Sequence, residues 1–303
     1  MRYAVTGAAG FIGSHLAEAL TSRGDEVVGL DCFTDYYDPA LKEENARGLD
    51  VRRVDLAEDE LDFAGLDGVF HLAGQPGVRS FGDVFSLYLR RNVLASQRVF
   101  EAAARDGVRV VFASSSSTYG AAERYPTPED TTPQPLSPYG ITKLACEQLA
   151  AAYVREFALD CVTLRYFNAF GPRQRPDMAF TRIVLALGAG TRFDLYGDGE
   201  QSRGWTYVSD VVDATILATG GGSGTYNVGG AIEASMNDVI ARLETISGRR
   251  LDVSREPAVP GDQRRTSADT SRIRAELGWE PRISLEDGLR RQWEWASTRV
   301  AAQ

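Results

Sequence analysis

The stretch Tyr3-Ala-Val-Thr-Gly7-Ala-Ala-Gly10-Phe-Ile-Gly13 joins a short β-branched run to a helical pattern through three glycines spaced by three. Glycine permits a tight turn and lets the backbone come close to a pyrophosphate and to the neighbouring strand. A helix beginning near Gly10 offers unpaired N–H groups and the positive end of its dipole to phosphates. A glycine triplet alone also serves ordinary strand-to-helix turns, so its surroundings decide. Asp31 closes the second strand-like run 18 residues after Gly13, where a carboxylate accepts hydrogen bonds from an adenosine ribose. The same charge disfavours a 2′-phosphate, which points to NAD over NADP. Asp55, after the third run, suits either the adenine amino group or a solvated turn, and both readings stay open.

Working outward, the runs Tyr3–Thr6, Glu26–Leu30, Val51–Val54, Val69–Leu72, Val108–Ala113 and Cys161–Tyr166 read as strands. Several are apolar without alternation, as expected of strands covered on both faces. Phe11–Arg23, Val84–Arg105 and Ser137–Phe157 read as the helices between them. This order predicts an α/β fold, a Rossmann-type doubly wound parallel sheet. Beyond Asn168 the pattern loosens, with a turn at Gly220–Gly224 and helices expected over Asp210–Thr219, Ser235–Ile246 and Ser284–Ala302. The last carries Trp293 and Trp295 as packing residues. The expected division is an NAD-binding domain over 1–167 and a smaller C-terminal substrate lobe over 168–303, some of whose segments return to the first.

Composition excludes several classes. The 303 residues carry 33 Lys plus Arg against 42 Asp plus Glu, a formal net charge of −9, which argues against nucleic-acid binding. Three cysteines and two histidines supply neither a disulfide framework nor a metal cluster, so no metal is expected. No signal peptide is expected, and no apolar run approaches the ~20 residues that span a bilayer. The expectation is a cytoplasmic enzyme with no membrane or nucleic-acid partner.

Tyr139-Gly-Ile-Thr-Lys143 places a phenol and an ammonium at i and i+4 on one helix face. A phenol, ordinarily titrating near ~10, is a poor base at neutral pH, and a neighbouring cation favours its phenolate. Upstream, Val110-Val-Phe-Ala-Ser-Ser-Ser-Ser117 ends a strand in hydroxyls that can hold a substrate oxygen beside that phenol. Tyr119, Tyr125 and Tyr153 have no Lys four residues on, which singles out Tyr139.

With these motifs the chain resembles the extended short-chain dehydrogenase/reductase family, in particular its nucleotide-sugar epimerases and dehydratases. The resemblance runs through Gly7–Gly13, Asp31, Asp55-Leu56, His71-Leu-Ala-Gly74, Asn92, Ser114–Ser117, Tyr139/Lys143 and Arg165-Tyr-Phe-Asn168. It continues through Arg203-Gly-Trp-Thr-Tyr-Val-Ser-Asp210, Tyr226-Asn-Val-Gly229 and Pro260-Gly-Asp262. It implies cofactor contacts by Gly7, Gly10, Phe11, Ile12, Gly13, Asp31, Asp55, Leu56, Leu72, Ala73, Gly74, Asn92, Ser114, Tyr139, Lys143 and Tyr166. It further implies a UDP-sugar held by Ser115, Ser116, Tyr139, Asn168, Arg203 and Asp262, catalysis by Ser115, Tyr139 and Lys143, and a homodimer joined through a four-helix bundle. Arg265 is a weaker candidate, and His71 is expected to be structural. Gly204 departs from the family, where Asp often follows the preceding Arg.

The serine strand separates the family's reactions. Sugar dehydratases carry Thr-Asp-Glu where this chain has Ser115, Ser116 and Ser117, so no carboxylate is available for elimination. Hydroxyl oxidation and re-reduction remain, which points to a 4-epimerase. Substrate identity rests on Gly171-Pro-Arg-Gln-Arg-Pro-Asp-Met-Ala-Phe-Thr-Arg182, which looks like the corresponding run of UDP-glucuronate 4-epimerases. An arginine facing the C6 carboxylate would restrain the 4-keto acid from losing carbon dioxide. Arg175 and Arg182 are preferred for this contact over Arg173. The competing readings are a UDP-glucose or UDP-N-acetylglucosamine 4-epimerase and, in another class, a non-catalytic NAD-sensing regulator.

Overall fold

The computed structural model describes residues 1–77, 82–230, 232–258 and 263–300. The first half runs β1 (Arg2–Thr6), α1 (Phe11–Ser22), β2 (Glu26–Asp31), α2 (Pro39–Asn45), β3 (Val51–Arg53), β4 (Gly68–His71), α3 (Phe85–Tyr88), α4 (Ala95–Asp106), β5 (Val110–Ser115), α5 (Pro138–Phe157) and β6 (Cys161–Tyr166). The second half runs β7 (Ala169–Phe170), α6 (Ala179–Ala189), β8 (Arg192–Tyr196), β9 (Ser202–Gly204), β10 (Thr206–Tyr207), α7 (Val208–Leu217) and β11 (Gly224–Val228). It ends with β12 (Glu233–Ser235), α8 (Met236–Ser247), β13 (Asp252–Glu256), β14 (Arg265–Thr266), α9 (Ser271–Leu277) and α10 (Leu285–Val300).

Strands β4 and β6 are buried along their whole length and β1 along all but its first residue, which explains their unbroken apolar character. They belong to a seven-stranded sheet of order β11-β6-β5-β4-β1-β2-β3. Every ladder is parallel, so this is a Rossmann-type doubly wound sheet. One face packs Leu16 and Leu20 of α1 with Val211 and Val212 of α7, and the other packs Val99 and Phe100 of α4 with Cys146 and Ala150 of α5. The order in which strands are added reverses at β1, with β2 on one side of it and β4 on the other. Ligands of such sheets bind outside the strand carboxyl ends at this point.

Strand β11 was not legible in the sequence. It is five residues long, and its place is set by pairing with β6 from Gly224↔Val162 to Val228↔Tyr166. Strand β5 starts later than expected and extends into the serines, because its register against β6 continues through Ser114↔Arg165 and Ser115↔Tyr166. The helix expected over Val84–Arg105 contains a wide π-helical stretch, Leu89–Leu94, that turns Asn92 into the interior. Outside the sheet, α6, α8 and α10 build a separate core around Phe180, Val239, Leu243 and Leu289, with Trp293 and Trp295 packed against it.

Candidate active site

The glycine loop crosses the carboxyl end of β1 at the switch point. Helix α1 has Gly10 as its N-cap in extended conformation, with no side chain capping it, so the first-turn N–H groups are open. At position 13 a Cβ would lie 2.1 Å from the Gly7 carbonyl oxygen, so only glycine lets α1 start this close to the loop. Asp31 ends β2 with both carboxylate oxygens engaged by backbone, Ala9 N–H at 3.1 Å and Phe33 N–H at 2.7 Å. These contacts aim the carboxylate along the cavity wall. Gly7, Gly10, Phe11, Ile12, Gly13 and Asp31 line one cavity with Asp55, Leu56, Leu72, Ala73 and Gly74. Ser114, Tyr139, Lys143, Tyr166 and Arg175 line it too. An uncapped helix start, glycines that leave room over it and a carboxylate at the end of β2 fit a dinucleotide.

Two expected cofactor residues carry other bonds. Asp55 accepts from Arg90 at 2.6 Å and from Ala57 N–H at 2.9 Å. Asn92 is absent from the cavity wall. Its amide accepts from Gln75 N–H at 2.6 Å and donates to Gln75 O and to Thr142, which pins the loop after β4 to α5. His71 is fully buried and structural: the Thr6 hydroxyl, accepting from Leu72 and Ala73 N–H, gives its proton to Nδ1, and Nε2–H donates to Ser96. Burial first, then the Lys143 charge, pulls its pKa down to about 3. The sequence reading missed Thr34, Tyr36, Tyr37 and Lys42, which also line the cavity. Lys42 donates to Thr34 at 2.8 Å and stands 4.9 Å from the Tyr37 ring centre. No spacing marks these residues, because the turn leading into α2 brings them to Asp31.

Ser137 caps α5 by accepting from Gly140 N–H at 3.1 Å, and Pro138 occupies the first turn. That places Tyr139 and Lys143 on the cavity wall. Lys143 is 3% exposed; its Nζ donates to Ala113 O at 2.8 Å and lies 5.9 Å from the Tyr139 ring centre. A Cβ on Gly140 would lie 2.4 Å from the Ser117 carbonyl oxygen, so α5 starts directly against the serine segment. Ser114 donates to Glu147, whose carboxylate is held bidentately by Arg165 at 2.9 and 2.6 Å. Burial opposes the Arg165 charge, but Glu147 outweighs it and holds that pKa above the ordinary arginine value. Ser115 donates to Ser117 Oγ and accepts from Ser117 N–H, both at 3.1 Å. Neither Ser115 nor Ser116 lines the cavity itself; both lie where β5 leaves it.

The basic candidates divide sharply. Arg175 lines the cavity and its Nε and Nη2 donate to Asp177 at 3.0 and 3.1 Å. Burial opposes its charge, yet Asp177 holds its pKa above the ordinary value. Arg182 sits apart, its guanidinium 5.2 Å from the ring centre of Phe193 in the second core. Arg173 braces α1 through His15 and Glu18. Arg265 is paired with Glu233 at 2.7 Å on both nitrogens, and Arg203 on β9 donates to Ser202 O at 2.9 Å. Asn168 staples β9 to β14, donating to Gly204 O at 3.3 Å and Thr266 at 2.8 Å, and is not on the cavity wall. Asp262 lies outside the described residues.

Comparison with known proteins matches residues 3–229 to the NAD dependent epimerase/dehydratase family. A Bacillus subtilis (strain 168) protein, the uncharacterized UDP-glucose epimerase YtcB, is 39% identical over 312 residues, 98% of this chain and 98% of its own. The UDP-glucuronic acid 4-epimerase of Bacillus cereus, solved with UDP-glucuronic acid and NAD, matches at TM-score 0.94 and 37% identity over 99% of this chain and 100% of that one. MoeE5 has been solved with NAD and either UDP-glucuronic acid or UDP-glucose. These two structures match at TM-score 0.89 and 42% or 40% identity, over 99% or 100% of this chain and 100% of theirs.

Proposed function

The chain belongs to the NAD-dependent epimerase/dehydratase family, and from that premise we propose that it interconverts UDP-glucuronate and UDP-galacturonate at C4. The observation that carries this reading is Arg175, which shares one cavity wall with Tyr139 and Lys143. A dehydratase would need a carboxylate beside the phenol, and Ser115, Ser116 and Ser117 provide only hydroxyls.

NAD, held by the uncapped start of α1 and by Asp31, supplies a reversible acceptor for the hydride of C4. Tyr139 takes the proton of the 4-hydroxyl and returns it when the carbonyl is reduced from its other face. Lys143, buried on the Ala113 carbonyl, places its ammonium on the same wall as that phenol, 5.9 Å from the ring centre. The Ser115 hydroxyl, bonded to Ser117 in this structure, is the group assigned to hold the substrate oxygen beside the phenol. The Arg175 guanidinium faces the C6 carboxylate and keeps its electrons from flowing into the neighbouring ketone, which suppresses decarboxylation. The nucleotide is gripped by the second lobe through Arg203, so the sugar can turn while the diphosphate stays put.

The test is product analysis with UDP-glucuronate and no added cofactor. UDP-galacturonate is the expected product, and Tyr139→Phe should abolish it. Turnover of UDP-glucose alone would refute the uronate assignment. NAD binding without turnover of any UDP-sugar would leave an NAD sensor as the answer.

The cofactor lobe, on this reading, comprises residues 1–167 together with α7, β11 and α9, and the rest of 168–303 forms the sugar lobe. The partner is a second copy of the chain. Leu87, Leu94 and Ile141, near or on α3, α4 and α5, are 38%, 44% and 43% exposed, an apolar surface suited to a four-helix bundle. Light scattering of Ile141→Glu against the wild type tests it: the wild type should be a dimer and the variant a monomer. Among the described residues no helix is long and apolar enough to cross a membrane. The three cysteines are unpaired, which fits a reducing cytoplasm.

A further inference from the structure

Arg175 commits only part of its fork to Asp177. Nε and Nη2 are used, at 3.0 and 3.1 Å, while Nη1 has no hydrogen-bond partner among the described residues. Asp177 in turn accepts from the Tyr36 hydroxyl at 3.3 Å. Arg175 and Tyr36 both line the cavity; Asp177 stands behind them and is 42% exposed. Arg175 is only 23% exposed, so solvent does little to neutralise it. Its charge is balanced inside the protein, and this end of the cavity carries a cation and an anion whose sum is zero.

We infer that the Arg175–Asp177 ion pair sets the substrate range, Asp177 acting as an internal counter-carboxylate that makes the C6 end of the site tolerate a neutral sugar as well as an acidic one. The inference rests on the proposed contact between Arg175 and C6. A bare guanidinium in a mostly buried wall would be left without a counter-charge by a neutral C6 hydroxyl, which costs free energy, and would attract a carboxylate strongly. With Asp177 in place, a neutral sugar meets a neutral pair. An arriving carboxylate still finds the Nη1 edge, but it also meets the Asp177 charge on the far side of the same planar group. Asp177 therefore compresses the difference between the two substrates. Two carboxylates on opposite edges of one guanidinium lie about 6 Å apart. At an effective dielectric constant of about 20, less solvent screening, their repulsion is worth about tenfold in affinity.

The experiment compares wild type, Asp177→Asn and Asp177→Glu as NAD-loaded proteins, titrated calorimetrically with UDP-glucuronate and with UDP-glucose. Asp177→Asn should bind UDP-glucuronate more tightly and UDP-glucose more weakly, widening the affinity ratio about tenfold. Asp177→Glu should restore the wild-type ratio. A role confined to holding the loop would weaken both ligands together. Parallel movement of the two affinities, or no movement, overturns the inference. Product analysis of the wild type is read separately. Absence of UDP-galacturonate alongside opposed shifts would refute the reaction and leave the ion pair's role standing.

Discussion

Replacing Gly140 by Ala adds one methyl group where the backbone leaves no room for it. The new Cβ would lie 2.4 Å from the Ser117 carbonyl oxygen, while ordinary contact begins at 3.4 Å, so the first turn of α5 must retreat by about 1 Å. Tyr139 is the preceding residue and moves with that turn, away from the end of β5. A misplacement of about 1 Å in a positioned catalytic group costs about a hundredfold in rate, equivalent to about 2.7 kcal/mol of activation free energy. Stability changes less, because overpacking at about 1–3 kcal/mol is partly offset by about 1 kcal/mol of helix propensity gained on replacing Gly. Gly140→Ala should thus fold, bind NAD nearly as the wild type does and lose about two orders of magnitude in kcat. The assays are initial rates of UDP-galacturonate formation, NAD titration and thermal unfolding. A variant with undiminished kcat and a raised Tm would show that α5 is not held against the serine segment, and the reasoning would fail.

Three further outcomes follow from the geometry. Arg175→Leu should cut turnover of UDP-glucuronate or release decarboxylated UDP-pentose, whereas Arg182→Leu should leave product composition unchanged; chromatography of the sugar products decides between them. Glu147→Gln would leave the buried Arg165 without its counter-charge, and both side chains are 7% exposed. It should cost about 3–5 kcal/mol in denaturant unfolding, and similar midpoints for mutant and wild type would refute the ion pair's role. His15 is held neutral, donating to Pro172 O and accepting from Arg173, with burial foremost and then the Arg173 charge bringing its pKa down to about 4. Unfolded His15 takes up its proton near ~6.5, so its contribution is complete above that pH and is lost as pH falls towards 4. The loss approaches about 3 kcal/mol. His15→Gln should flatten that part of the stability profile measured by denaturant titration between pH 7 and 4.5.

Local chemistry wrote the strands β1 to β6, the glycine loop, Asp31 and the Tyr139/Lys143 pair plainly into the sequence. Each depends on the conformation of a few neighbouring residues: the period of a strand, the four-residue step of a helix, or the turn that three glycines permit. Such features survive without knowledge of the partner surface. Strand β11 had no comparable signal, since its five residues become a strand by pairing with β6.

The substrate end needed the tertiary structure. Arg175 and Arg182 are seven residues apart and chemically alike, but one precedes α6 and reaches the cavity while the other turns with that helix onto Phe193. Lys42 and Tyr36 meet Asp31 at the cavity through the fold of the segment leading into α2, and Asn92 is aimed inward by a π-helical stretch. Gly140 looks like a weak helix residue until Ser117 is placed against it. The sequence by itself determined which groups could do the chemistry, because reactivity and backbone preference belong to residue types. Only the folded chain decided which of several equivalent charges meets the substrate, because that depends on helix phase and loop path over residues distant along the chain.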